Sequence, residues 1–301
     1  MKQKTNKLCR FSILALLAAA VGIILYPAFM DQLSGIKQTA VIGTYSRGSE
    51  ELSEEERKDM MNAARLYNEI IYRNQQESYF RYEGEDYDDE YYDGLLKTAA
   101  SGNYMAYIEV PKAGIYLPVS YGTKSSELQY CAGHMHGTSV PVGGADTHSV
   151  IAAHTGLNNA QLFTGLVKMD IGDAVYIHVL GEIHEYRVCG IYTVLPEEED
   201  GYLQVEAGRD ILTLYTCTPY GINDHRLLVR CERTLPDPEI KSSEAESGRI
   251  SFKNKEAVRE AVKIAAIPSS MLLLGIHMAV NPPKDRKHPW NKPADDVYPL
   301  L

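Results

Sequence analysis

Phe11 to Met30, FSILALLAAAVGIILYPAFM, runs for twenty residues without a charge, directly after Lys2, Lys4, Lys7 and Arg10. An α-helix of that length crosses a bilayer, so whatever the rest of the chain folds into is built at the end of a hydrophobic rod. A cleaved secretory signal has a shorter apolar core and small residues at its exit, whereas this stretch ends in Tyr26, Pro27, Phe29 and Met30. It reads as an uncleaved signal anchor. The basic flank places residues 1–10 as a cytoplasmic tail and everything after Asp31 outside.

Ile264 to Val280, IAAIPSSMLLLGIHMAV, is a second apolar stretch, followed by Lys284, Arg286, Lys287 and Lys292. Its seventeen residues reach the minimum for a span, and the basic residues behind it mark a cytoplasmic side. The competing reading is an amphipathic or buried helix, because Pro268 and His277 interrupt it. As a span it returns residues 281–301 to the cytoplasm, with both termini inside and the bulk of the chain outside. Residues 236–263, with Pro236, Pro238 and the polar run Lys241 to Gly248, have linker composition.

The segment left between the spans is large enough for a full core, since the chain of 301 residues is 45% hydrophobic. A formal net charge of -10 excludes nucleic acid as a partner, because phosphate binding needs clustered Lys and Arg. Residues 31–102 read as a helical segment. Ser53 and Glu56 form a capping box, and Met60, Ala64, Tyr67 and Ile71 recur at helical spacing, with Ala63, Leu66 and Ile70 widening the same face. Glu83 to Asp93, EGEDYDDEYYD, lacks the ligand spacing and central glycine of an EF-hand loop and reads as a solvated tract.

Over 103–235 the pattern turns to short strands: Tyr107–Val110, Ile115–Val119, His148–Ala153, Ala174–Leu180, Ile183–Val194, Ile211–Cys217 and Arg226–Cys231. One helix interrupts them near Asn159 to Leu166, and Gly181-Glu182 reads as a two-residue Gly-X hairpin turn. The strand density indicates an antiparallel barrel or sandwich.

Cys217 closes one of these strands and Arg226 opens the next, with Pro219, Gly221, Asn223 and Asp224 turning the chain between them. A free thiol has a pKa near 8.5, so a nucleophilic cysteine needs a positive charge or a base beside it. Nine histidines compete to be that base. His277 and His288 belong to the membrane end, and His178 and His184 lie within hairpin strands. His134 and His136, in GHMHGT, could share a face as metal ligands, but Gly133 and Gly137 suggest a loop and no third ligand is evident. His225 adjoins Arg226, and strand neighbours point to opposite faces. His154, at the exit of an apolar strand in THSVIAAHTGL, is the base or acid, with His148 at the start of the same strand as runner-up. Cys131, Cys189 and Cys231 show no metal-ligand spacing and read as small buried hydrophobes, with a disulfide open to them in an oxidising compartment. The constellation calls for neither cofactor nor metal.

TLYTCTPYGINDHRLLV resembles the signature of the sortases, cysteine transpeptidases of Gram-positive surfaces: Thr213, Leu214, Thr216, Cys217, Pro219, Asn223, Arg226 and Leu227 occupy its places. AYIEVPKAGIYLPVSYGT, GTSVPVGGADTHSVIAAHTGL and TCTPYGINDHRLLVR are similar to the class C, pilin-polymerising branch, over Ala106 to Arg233. The resemblance implies a mainly β fold, a closed eight-stranded sortase-type barrel with short helices. It implies Cys217 as nucleophile, His154 as general acid/base and Arg226 as stabiliser of substrate and oxyanion. The substrate would be an LPxTG-type sorting signal on a surface protein or pilin subunit. The acceptor would be an amine, a pilin lysine in class C or a cell-wall precursor in the anchoring sortases. A hydrolytic papain-like peptidase sets its cysteine in a different local signature, and a non-catalytic membrane-tethered assembly barrel would not need all three residues. Class C members carry a lid with an Asp-Pro-aromatic anchor, and no Asp-Pro occurs between Met30 and Tyr104. Asp86-Tyr87 stands in its place, which makes the tract Glu83 to Asp93 a divergent lid over Cys217.

Overall fold

The computed structural model describes residues 2–77, 90–126, 128–157 and 160–234. Most of the acidic tract (83–89) and the second apolar stretch (264–280) therefore lie outside the described residues. The chain divides into two compact units, Met1–Leu25 with Ala245–Leu301, and Tyr26–Glu244. In the first unit the described residues, 2–25, are helical, and their apolar stretch makes this helix a candidate membrane anchor.

The same helix, α1 (Lys2–Glu50), continues into the second unit, twenty residues beyond Met30. There its composition changes: Ser34, Ile42, Tyr45 and Ser49 form a buried stripe at spacings of three to four or multiples of it, with polar residues around them. Gly48 allows the closest approach, because a Cβ there would meet Thr98 Oγ1 at 2.7 Å and Ala100 Cβ at 2.8 Å. Tyr45 fastens α1 to the sheet, its hydroxyl donating to Met105 O (2.7 Å) and accepting from Leu180 N (3.1 Å). Burial pushes that phenol up to about 12, so it remains a donor throughout the range in which the protein folds. Tyr45→Phe would strand both backbone groups and is expected to lower stability by about 2 kcal/mol, read from urea unfolding of the full chain.

The second helix, α2 (Glu54–Glu77), starts at the expected capping box: Glu56 N donates to Ser53 Oγ (3.2 Å) and Ser53 N to Glu56 Oε2 (2.9 Å). Its buried face keeps the expected Met60, Ala64, Tyr67 and Ile71 against the core but widens on the other side. Met61, Ala64, Tyr67 and Asn68 are buried, whereas Leu66 and Ile70 are exposed. Asn68 holds that side, its side-chain amide donating to Val140 O (3.1 Å) and accepting from Val140 N (2.8 Å). The last part of the acidic tract is helical and exposes Tyr91 and Asp93, but α3 (Glu90–Gly94) buries Tyr92, whose hydroxyl meets His134 Nδ1 at 2.7 Å.

Eight strands follow: β1 (Tyr104–Val110), β2 (Ile115–Tyr121), β3 (Ala132–His134), β4 (Thr147–Ala152), β5 (Ala174–Val179), β6 (Glu182–Val194), β7 (Asp210–Thr218) and β8 (His225–Arg233). They close in the order β1-β2-β3-β4-β7-β8-β6-β5. The barrel is not purely antiparallel, since β2 pairs parallel with β3 and β4 parallel with β7. β3 has only three residues, and its Gly133 is required by contact: a Cβ would lie 2.2 Å from Gly122 O. The β5–β6 turn is Leu180-Gly181, one residue earlier than the Gly-X reading, because Val179 pairs with Glu182. Both turn residues have positive φ, 45° and 83°, as a type I′ turn requires. Leu180 tolerates it because its side chain is fully buried and its N–H is held by Tyr45.

The main core fills the barrel with Ile108, Leu117, Val119, Ile151, Phe163, Leu166, Ile177, Leu214 and Val229 and extends to Met61 and Ala64 of α2. A second, smaller cluster of Met135, Val150, Val194, Leu203 and Leu228, with Tyr202 and Tyr215 against it, draws on alternate residues of β4, β7 and β8. That face carries the candidate site.

Candidate active site

The antiparallel register of β7 and β8 sets Cys217 directly opposite Arg226. Directly paired residues share a face, so the thiol and the guanidinium side chain emerge together. β4 lies on the other side of β7, and its parallel register ends at Ala152 opposite Tyr215. His154 follows two residues after that register ends, just past the end of β4, as Cys217 follows two residues after Tyr215 on β7. One ladder bond outlasts the strand, Ala153 N donating to Tyr215 O (3.2 Å), and the Thr216 side chain then takes over, its Oγ1 donating to Ala153 O (2.7 Å). Thr155 and Thr216 join hydroxyl to hydroxyl at 2.7 Å, and Phe163 N donates to His154 O at 3.2 Å. Backbone bonds from two sides thus fix where His154 leaves the sheet. Cys217, His154 and Arg226 are all half-buried, dry enough to strengthen electrostatics and open enough to meet a large substrate.

Arg226 is held by much of its polar edge. Nε donates to Tyr215 Oη (2.8 Å), and Nη1 to Asn223 O and His225 O (3.3 Å each). Tyr215 Oη in turn donates to Glu199 Oε2 (2.7 Å), which also lies 3.8 Å from Arg226 Nε. Partial burial disfavours the Arg226 cation, but Tyr215, Cys217 and Glu199 outweigh it and hold the guanidinium above its ordinary value. For Glu199, burial dominates and raises the carboxyl, with the Tyr215 bond and Arg226 pulling back. The ring of Tyr220, in the β7–β8 loop, lies over Gly156, where a Cβ would be 3.1 Å from Tyr220 Cε2.

Other histidines are occupied elsewhere. His148, the runner-up, is completely buried, with Nδ1 on Gln204 O (2.8 Å) and Nε2 on Thr213 Oγ1 (2.7 Å). His134 is equally buried between Tyr92 and Ser139 O, and sits on β3 instead of in a loop. His178 stacks on Tyr107 with centroids 4.2 Å apart, His184 meets Arg233, and His225 pairs with Asp224 at 2.8 Å. Among the described residues no three His, Cys, Asp or Glu side chains are grouped to hold a metal. Cys131 and Cys231 are buried thiols, as small hydrophobes would be, but Cys189 is exposed. It occupies the irregularity in β6 between Val188 and Gly190, where the pairing with β8 skips a residue.

Glu199 and Tyr215 escape sequence reasoning. Glu199 is embedded in the acidic run Glu197 to Asp200, which looks like a solvated turn, and Tyr215 looks like any strand aromatic. The signal available was that Tyr215 falls two residues before Cys217 and so on its face.

A family model described as Sortase domain matches residues 108–234. Sortase A of Streptococcus agalactiae serotype III (strain NEM316) is 30% identical over 128 residues, which cover 42% of this chain and 51% of that protein. The chain thus spans about half the length of that curated relative. Solved structures are covered almost completely, among them the following two. Sortase C1 of Pilus Island 1 of group B Streptococcus shares 33% identity with a TM-score of 0.60, over 67% of this chain and 94% of that one. Streptococcus pneumoniae sortase C shares 35% identity with a TM-score of 0.59, over 65% and 97%.

Proposed function

Since the chain belongs to the sortase family, we propose that it is a membrane-anchored cysteine transpeptidase that cuts an LPxTG-type sorting signal between Thr and Gly and passes the Thr carbonyl to an amine. The observation that carries this reading is the register that sets Cys217 opposite Arg226, with His154 just past the end of β4, the strand that pairs with β7 on its other side. Cys217 as thiolate attacks the Thr carbonyl carbon, and Arg226 balances the negative charge that collects on the oxygen. As the tetrahedral adduct collapses, the C–N bond breaks and His154 gives its proton to the departing glycine amine. The thioester that remains is attacked by the acceptor amine, whose proton returns to His154 as Cys217 leaves.

A pilin lysine is the proposed acceptor. Two of the solved relatives covered nearly in full are sortases C, one from a pilus island and the other studied for pilin substrate specificity, while another, from Corynebacterium diphtheriae, is named sortase A. The partners are then pilin subunits or other surface proteins bearing a sorting signal. The domains follow: residues 11–30 as anchor, 31–102 as helical support, 103–235 as catalytic barrel outside the cell, and 264–280 as a second span that returns the C-terminus to the cytoplasm.

Intact-mass measurement tests the chemistry. The full chain in detergent, given a sorting-signal peptide, is expected to gain the mass of the acylating fragment on Cys217, and a lysine-bearing peptide is expected to discharge it as an isopeptide product. An adduct discharged only by water, or no adduct on Cys217, would overturn the reading.

A further inference from the structure

Arg226 is the one member of the proposed trio whose side chain has four rotatable bonds before its charged group. A guanidinium on such a stem is useful to a developing oxyanion only if something fixes its direction before the reaction. Three of its bonds do this from two edges. Asn223 O and His225 O hold Nη1 from the loop side, and Tyr215 Oη holds Nε from the strand side. Nη2 has no recorded partner among the described residues, and its N–H groups are the ones left for an incoming substrate.

Tyr215 does not act alone. Its hydroxyl proton goes to Glu199 Oε2 at 2.7 Å, which turns the oxygen lone pairs toward Arg226 Nε at 2.8 Å. Glu199 sits on the 3₁₀ helix Pro196–Tyr202, which enters the sheet face through Tyr202. The carboxylate is 3.8 Å from Nε, too far for a direct hydrogen bond but near enough for attraction. The chain carboxylate, phenol, guanidinium therefore runs from the β6–β7 connection, through β7, to the proposed oxyanion stabiliser on β8.

We infer that Tyr215 and Glu199 are positioning residues for catalysis: they aim Arg226 at the acyl-transfer centre without touching the substrate themselves. This rests on the transpeptidase function proposed above and adds to it a second set of residues. It also gives the β6–β7 connection a route to the reaction, because any displacement of Glu199 releases the phenol that holds Nε.

The test is a double-mutant cycle on the full chain in detergent, read as kcat/KM for joining a sorting-signal peptide to an amine. Tyr215→Phe keeps the ring and removes the bond, and is expected to lower kcat/KM roughly ten- to hundredfold, the cost of misplacing a catalytic group by a fraction of an ångström to an ångström. Glu199→Gln keeps an acceptor for Tyr215, lies on a partly exposed helix, and is expected to cost roughly three- to tenfold through lost charge. In an Arg226→Ala background both substitutions are expected to lose their effect, because the group they aim is gone. Alkylation of Cys217 by iodoacetamide is expected to stay within about twofold of wild type in both, since neither acts on the thiol. Equal losses with and without Arg226, or alkylation slowed in proportion to turnover, would show a structural role and overturn the inference. An active Cys217→Ala protein would instead overturn the parent function, so the two failures are distinguishable.

Discussion

Replacing Cys217 by alanine is expected to reduce the joining of a sorting-signal peptide to an amine to its uncatalysed rate while leaving the barrel folded. The thiol is half-buried near the end of β7, so its loss removes little packing. No neighbour can take over the covalent step. Thr216 points to the opposite face and is tied to Ala153 O and Thr155, and the remaining described cysteines lie on other parts of the sheet or loops. His154→Ala is expected to be milder, roughly a 10²- to 10⁴-fold loss of kcat/KM, because the thiol and Arg226 remain while the proton must reach the leaving amine through water. Turnover and thermal midpoint measured on the same preparations check both expectations. A Cys217→Ala protein that still joins the two peptides would sink the thioester route, and a His154→Ala protein as fast as wild type would move the proton transfer to another group.

The two halves of this site were not equally visible in the sequence. Cys217 and Arg226 are joined by a loop full of turn formers, so a local pattern announces that they face each other. His154 follows β4, whose parallel pairing with β7 no local pattern encodes; apart from the family resemblance, its place at the exit of an apolar strand is the cue. β3 went unread because three residues with Gly133 in the middle carry no alternation, and only the approach of Gly122 O explains why glycine is there. The β5–β6 turn misleads for a related reason. Leu at φ 45° is unfavourable in isolation, and Tyr45, 135 positions away, makes it tolerable. Leu66 and Ile70 fit a helical stripe, yet Asn68 is buried in their stead by bonding the backbone of Val140 in the β3–β4 connection. In each case a long-range contact with the backbone overrides a local preference.

Acid should loosen this fold well before its carboxylates are protonated. His134 and His148 are both buried and both held neutral, with burial lowering each from the ordinary 6.5 to about 4. Around His134, the bond to Ser139 O works against the shift and His136 adds to it. Around His148, Gln204 O and Glu206 oppose the shift while Arg230 and Arg209 reinforce it. Each neutral ring is fully used: for His134, Nε2–H on Ser139 O and Nδ1 accepting from Tyr92; for His148, Nδ1–H on Gln204 O and Nε2 accepting from Thr213. The folded-state values lie below the unfolded ones, so between about pH 6.5 and 4 the unfolded chain binds more protons and stability falls as pH falls. The stabilisation is fully present above pH 6.5. Its loss approaches about 1.4 kcal/mol per pH unit for each histidine and reaches about 3 kcal/mol each near pH 4. Taken together that is a large fraction of the roughly 5–15 kcal/mol that holds a typical domain folded. Urea midpoints of the full chain in detergent, measured from pH 7.5 down to 5, isolate this window from most carboxylate titration. His148→Gln, which keeps one donor and one acceptor but cannot be protonated, is expected to lower stability at pH 7.5 and to flatten the slope by about one proton. A midpoint that does not move between pH 6.5 and 5, or a slope unchanged in His148→Gln, would mean that these rings are not held neutral by the fold.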